Sequence, residues 1–248
     1  FILRTMIVHV GDNAREAARI LLSNMLAIIE RMSGSKEGMT EVNIALSGGN
    51  SPVELFDVWV NEFAGRTPWE RLRLYWVDER CVPVEDEAGN YRLAKVHLLD
   101  RVPISQEHVF RIRGEQEDVE GEAMRYSSMV LSRLPLHGCI PVFDFVLLGM
   151  GTDGHTSSVF PGQNALLRTS VPYAVSRHPA TGQQRIAMTG EVMIHARHTW
   201  FYVIGQDKAD ILRTLSCPNV RSRYPAAYVW QSAFYAELFT DIDITLSV

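Results

Sequence analysis

Three apolar runs in this chain of 248 residues each stop at a cluster of glycine, hydroxyl or charge. Val42-Asn43-Ile44-Ala45-Leu46 leads into Ser47-Gly48-Gly49-Asn50-Ser51-Pro52. Leu72 to Val77 leads into Asp78-Glu79-Arg80, and Phe143 to Leu148 leads into Gly149-Met150-Gly151-Thr152-Asp153-Gly154-His155-Thr156. Short apolar runs bounded by turn residues read as strands. Helical patterns stand between and around them. Ala18, Leu21, Leu22, Met25, Ile29 and Met32 recur at the spacing of one helix face. Ser51 as cap, Pro52 at the first helical position and Glu54 form a capping-box start, followed by Leu55, Val58 and Trp59. Asn90 to Leu99, Met124 to Leu134 and Asp207 to Leu215 read as further helices. Ile7 to Val10, Arg185 to Thr189 and Trp200 to Ile204 read as further strands. Strands alternating with helices predict an α/β fold with a mainly parallel sheet flanked by helices. With no linker or internal repeat, residues 1–248 read as a single domain, with room for a small additional lobe after residue 160.

Charge limits what such a chain binds. It carries 24 Lys and Arg against 29 Asp and Glu, a formal charge of −5. That balance argues against a general nucleic-acid surface, which shows a basic surplus. It allows a local anion site built from a few arginines. Among the basic residues only Lys36, Lys95 and Lys208 are lysines. No apolar run approaches the roughly 20 residues needed to span a bilayer, so no membrane partner is expected. Cys81, Cys139 and Cys217 are odd in number and widely spaced, which suits reduced thiols and a cytoplasmic location. No CxxC or HExxH spacing announces a metal site.

The polar clusters at the strand ends carry the chemistry, because ligands of open α/β sheets bind beyond the carboxyl ends of the strands. Gly48-Gly49 alone is a tight turn; with Ser47, Ser51 and a capped helix start it also suits a phosphate. Asp78-Glu79-Arg80 reads either as a solvated loop end or as a functional cluster at the end of a buried strand. In the third cluster His155 lies in a glycine-flanked turn, two residues after Asp153. That is an odd place for a core histidine and a good one for a general base whose imidazole Asp153 orients. Gly149-Met150-Gly151-Thr152-Asp153-Gly154 superficially fits GxGxxG. It stands mid-chain and runs into His155, where a dinucleotide fingerprint opens the first βαβ unit. No GxSxG context supports an acyl-serine mechanism.

Together these motifs resemble the 6-phosphogluconolactonase family over most of the chain. Residues 47–52 are similar to the family's SGGSTP, with Asn50-Ser51 in place of Ser-Thr. Tyr75 to Pro83 resembles its strand and DERxVP loop, and Asn90-Tyr91 its SNY element, with Gly89 in place of the usual Ser or Thr. Gly149 to Gly162 resembles GxGxDGHTASLFPG, the most specific signature. Arg185 to Thr189 resembles RITLT, Gly205 to Lys208 the GxxK before a helix, and Tyr224 to Ala227 the late LPA element.

The resemblance implies a Rossmann-like fold and hydrolysis of 6-phospho-D-glucono-1,5-lactone without cofactor or metal. It implies His155 as the base that activates water, with Asp153 positioning His155 or the sugar. Arg80 is implied at the lactone end, steadying developing negative charge. The Gly48-Gly49 turn, Arg185 and Lys208 are implied as phosphate ligands, with Ser47, Asn50, Ser51, Asp78 and Asn90 as further substrate contacts. The implied partner is a small phosphosugar lactone, and the implied assembly a monomer or small homo-oligomer. Two other readings compete. Glucosamine-6-phosphate deaminases resemble DGHIAFNEP at the histidine loop and DEY at the acidic cluster. Here Thr156-Ser157-Ser158-Val159-Phe160-Pro161 follows His155 with no acidic residue, and Arg80 follows Glu79. A non-catalytic sugar-phosphate sensor would have no need of His155 and Asp153.

Overall fold

The computed structural model describes residues 7–32, 40–49 and 51–244. In chain order the elements are β1 (Ile7–Val10), α1 (Ala14–Met32), β2 (Val42–Leu46), α2 (Ser51–Val58), β3 (Leu72–Trp76), β4 (Asp78–Arg80), α3 (Asn90–His97), β5 (Val109–Phe110) and α4 (Val119–Arg133). There follow β6 (Leu136–His137), β7 (Ile140–Pro141), β8 (Phe145–Leu148), β9 (Tyr173–Arg177), β10 (Gln184–Met188), α5 (Gly190–His195), β11 (His198–Val203), α6 (Ala209–Thr214), α7 (Pro225–Ser232) and β12 (Ala236–Thr240).

Seven strands form the main sheet in the order β1-β12-β11-β8-β2-β3-β5, and every neighbouring pair is parallel. Parallel sheets are covered on both faces, so their central strands are apolar throughout. β2 and β8 accordingly bury every residue. The amphipathic stripe of α1 buries Ala17, Ala18, Leu21, Leu22, Met25, Leu26 and Ile29. Trp59, Trp76, Trp200 and Trp230 are also fully buried. One hydrophobic cluster runs from Ala17 to Ile244 and includes strands of both the main and the smaller sheet. The chain thus has the α/β, Rossmann-like architecture expected from its alternation of strands and helices.

From β2 the chain moves one way to β3, while β8 occupies the other flank. This is the topological switch point at which such sheets open a crevice. Ser47 ties the crevice together: its Oγ donates to the Leu147 carbonyl at 2.7 Å and receives the Gly149 N–H at 3.4 Å.

Asp78-Glu79-Arg80 is not a loop end. A single residue, Val77, carries the chain out of β3 and into β4, which pairs antiparallel with β10 in a three-stranded sheet ordered β4-β10-β9. The added lobe therefore draws only two strands from beyond residue 160. The junction is pinned by the Met188 N–H on the Val77 carbonyl at 2.8 Å, and by Tyr173 Oη on the Trp76 carbonyl at 2.8 Å.

Other boundaries shift for local reasons. α4 starts at Val119 rather than Met124, because Asp118 caps it by accepting the Gly121 N–H at 2.9 Å. The segment from Asp207 divides into a 3-10 turn, Gln206–Lys208, and α6. Glu54, expected to close a capping box, receives Arg15 Nη1 of α1 at 3.2 Å.

Candidate active site

The carboxyl ends of β2 and β8 and the small sheet enclose a cleft of about 320 Å³, within the range of small-molecule sites. Ser47, Gly48, Gly49, Ser51, Asp78, Arg80, His155, Arg185 and Lys208 all line it. Of the remaining expected residues, Asp153 stands behind His155, Asn90 lies beneath Gly48, and Asn50 is outside the described residues.

The loop after β8 folds on itself to present the histidine. The Gly151 N–H meets the His155 carbonyl at 3.0 Å, and the Gly154 N–H meets the Gly151 carbonyl at 2.9 Å. Asp153 Oδ1 receives both the backbone N–H of His155, at 3.1 Å, and its ring Nδ1, at 2.6 Å. A carboxylate only accepts, so the proton sits on Nδ1 and Nε2 is left as the basic nitrogen. Burial alone raises the Asp153 carboxyl, but the bonds from His155 outweigh it and hold the group below the ordinary carboxylate range. Gly151 is required here by space: a Cβ would lie 2.2 Å from His155 Nδ1 and 2.6 Å from Asp153 Oδ1. The His155 ring leans on Phe160, with centroids 4.7 Å apart, and Arg185 lies over the same phenyl ring at 5.5 Å.

Across the cleft, Arg80 and Arg185 supply positive charge from β4 and β10. Arg80 Nη1 donates to the Ala88 carbonyl at 2.5 Å. Arg185 donates from Nη1 to Ser158 Oγ at 3.1 Å and from Nη2 to Gln183 Oε1 at 3.4 Å. The Nε of each is buried and meets no acceptor among the described residues. Buried donors are ordinarily paired, so the two guanidiniums bring unmatched positive charge to one side of the cleft. Lys208 reaches the cleft from the turn after β11, with Nζ on the Ile204 carbonyl at 2.7 Å. The start of α2 at Ser51-Pro52 completes the lining with a helix N-terminus, which favours negative charge.

Asn90 proves to be a brace. It is 1% exposed, and its Nδ2 donates to the backbone carbonyl of Asp78 at 2.8 Å and to Asp78 Oδ1 at 3.1 Å. Gly48 packs so closely on it that a Cβ would meet Asn90 Oδ1 at 1.9 Å. The N-cap position of α3 is Gly89, which has no side chain to offer. Glu79 caps the helix instead. Its Oε1 receives the N–H groups of Arg80 and Asn90, and its Oε2 that of Tyr91, all at 2.7 Å. Burial nevertheless pushes the Glu79 carboxyl up to about 7.

Ser157 and Ser158 escaped the sequence reading. Both have left-handed backbones, with φ of 51° and 53°, and both are buried. Nothing in a Ser-Ser pair announces that conformation, which favours Gly, Asn or Asp. The only hint was the run of hydroxyls after His155. Among the described residues no group of three or more metal-ligating side chains gathers to hold an ion.

Residues 12–238 match the family model described as glucosamine-6-phosphate isomerases/6-phosphogluconolactonase. The chain is 38% identical over 208 residues to a 6-phosphogluconolactonase of Treponema pallidum, covering 84% of this chain and 83% of that one. It is 35% identical over 202 residues to a 6-phosphogluconolactonase of Haemophilus influenzae, covering 81% and 84%. The solved structure of 6-phosphogluconolactonase from Trypanosoma brucei superposes with a TM-score of 0.82 at 26% identity, covering 96% of each chain.

Proposed function

The chain belongs to the glucosamine-6-phosphate isomerase/6-phosphogluconolactonase family, and on that premise we propose that it hydrolyses 6-phospho-D-glucono-1,5-lactone to 6-phospho-D-gluconate. The observation that carries the reading is the His155–Asp153 pair opening onto the cleft that also holds Arg80, Arg185 and Lys208.

Water attacks the lactone carbonyl carbon while Nε2 of His155 takes its proton. Asp153 steadies the imidazolium that forms. The tetrahedral intermediate collapses with cleavage of the bond between that carbon and the ring oxygen, and the imidazolium returns the proton to the departing oxygen. Base catalysis of this kind contributes about 10²–10⁴-fold. Arg80 is the residue we assign to the developing oxyanion, a role worth roughly 10²–10³-fold. To Arg185, Lys208, the Gly48-Gly49 turn and the start of α2 we assign the phosphate. Arginine suits a phosphate as a planar fork and lysine as a point charge.

The family name covers two activities. The curated relatives quoted above carry the lactonase name. The loop after His155 offers buried serine hydroxyls where a deaminase-like loop brings a glutamate. Cys81, Cys139 and Cys217 are all free thiols, which suits the cytoplasmic location we assign. Among the described residues no helix is long and apolar enough to cross a membrane.

The test is hydrolysis of the phosphorylated lactone by purified protein, measured above the spontaneous rate. Unphosphorylated gluconolactone serves as comparator, and ammonia release from glucosamine 6-phosphate tests the rival activity. Equal turnover of both lactones, or ammonia release without lactone hydrolysis, sinks the reading.

A further inference from the structure

Ser158 stands between the buried carboxylate of Asp78 and the half-buried guanidinium of Arg185. Its Oγ donates to Oδ2 of Asp78 and accepts from Nη1 of Arg185 at 3.1 Å. A hydroxyl has one proton to give and lone pairs with which to receive. The direction of the relay is therefore fixed, from guanidinium to hydroxyl to carboxylate. Ser158 is 2% exposed and Asp78 7%. The second carboxylate oxygen of Asp78 is held by Asn90 Nδ2 at 3.1 Å, so the group cannot swing toward Arg185 without giving up bonds on both sides.

Ser158 reaches this place only through its left-handed backbone, directly after a second left-handed serine. Such strain persists where the surroundings impose it, and it clusters at ligand clamps. Ser157 supplies the imposition. Its Oγ lies 3.1 Å from the Val77 carbonyl and 2.9 Å from that of Met188, at the junction between the two sheets.

A direct ion pair between Asp78 and Arg185 would fill the planar fork of the guanidinium with a protein carboxylate. The interposed hydroxyl takes one N–H and leaves the fork otherwise unsaturated, with Nη2 on only a long bond to Gln183. We propose that Ser158 is a positioning residue: it fixes the orientation of Arg185 on behalf of Asp78 and keeps the remaining N–H groups for the phosphate of the ligand. This rests on the reading of the cleft as a phosphosugar site.

The experiment compares the parent with Ser158→Ala, Ser158→Gly, Arg185→Ala and the double variant Ser158→Ala/Arg185→Ala. Glycine removes the hydroxyl and also relaxes the left-handed backbone, so it separates the lost bond from the strain. Two readouts are taken: steady-state kinetics on the phosphorylated lactone, and titration with inorganic phosphate followed by phosphorus NMR. Both Ser158 variants are expected to raise KM about tenfold, as for a lost charge-assisted hydrogen bond, with kcat within about threefold. Phosphate affinity falls by the same factor. Because Ser158 acts through Arg185, adding Ser158→Ala to Arg185→Ala raises KM no further. An unchanged KM in the glycine variant, a fall in kcat matching the rise in KM, or a further tenfold loss in the double variant each overturns the proposal. If the parent does not hydrolyse the lactone, the phosphosugar reading fails. The phosphate titration then decides the role of Ser158 alone, and equal affinity in parent and glycine variant overturns it.

Discussion

Arg80 and Arg185 face one another across the ladder of β4 and β10 as direct antiparallel partners. Like charges in that position oppose each other and weaken the strand pair. Burial pushes the Arg185 guanidinium below the ordinary arginine range, and the neighbouring Arg80 adds to the effect. The pairing by itself is unfavourable for the fold. On the proposed reading of the cleft, the negative charge of a bound phosphosugar would relieve that repulsion.

Replacing Arg185 with methionine removes that repulsion and the anion grip together. Arg185→Met is expected to melt at or above the parent temperature, with a gain of about 0.5 kcal/mol, while KM for the phosphorylated lactone rises at least about tenfold. Added phosphate raises the melting temperature of the parent, by mass action on the folded state, and leaves the variant unmoved. A less stable variant with unchanged KM would contradict this account.

Removal of the base affects turnover alone. His155→Ala is expected to lower kcat by about 10²–10⁴-fold while phosphate affinity stays near the parent value. The ring of His155 makes no hydrogen bond to Arg80, Arg185 or Lys208 among the described residues. Normal turnover in this variant would remove His155 from the mechanism.

Asp153→Asn keeps the shape of the turn and loses the charge that steadies the imidazolium. The expected result is a fall in kcat of about 10–10²-fold with KM nearly constant. Since the Asp153 carboxyl is lowered in the folded state, its contribution to stability is present above the ordinary carboxylate value and lost only as pH falls through the lowered one. The stability difference between parent and asparagine variant should therefore stay constant down to the ordinary carboxylate value and shrink only at more strongly acidic pH. A change in that difference near neutrality would show that another group is responsible.

Glu79 behaves in the opposite sense. Its folded-state value of about 7 lies above its ordinary 4.5, so the native state holds this proton more tightly than the unfolded chain. The stability it contributes is complete below pH 4.5 and is lost as pH rises toward 7, by roughly 3 kcal/mol in all. Glu79→Gln abolishes the titration. Unfolding free energies of parent minus variant, measured by urea from pH 4.5 to 7.5, should fall across that window. A flat difference would mean that the three backbone N–H groups keep Glu79 ionised throughout.

The central strands and the histidine turn were legible in the sequence because their causes are local. β2, β3 and β8 are apolar runs, and Gly151, Asp153 and His155 lie within five residues of one another. The DER cluster leaves two readings open in the sequence, a solvated loop end and a functional cluster, because its strand character comes from pairing with β10, far away in the chain. Asn90 was expected to touch substrate. Its role as a brace depends on its own burial and on the close approach of Gly48 to it, which no local pattern reveals. The gap left by Gly89 was visible; its repair by Glu79 was not, since a cap supplied from another strand leaves no mark at the helix start.

Val77 is the single residue between β3 and β4, and this brevity separates two inheritances. The base loop issues from the parallel sheet, while the paired arginines issue from the antiparallel one. On the proposed reading, changes along β9 and β10 alter the anion grip directly and reach the His155 turn only through Phe160, Ser157 and Ser158, which contact Arg185 and Met188 of β10. A laboratory search for new lactone preferences should begin in the small sheet, with the histidine loop left as it is.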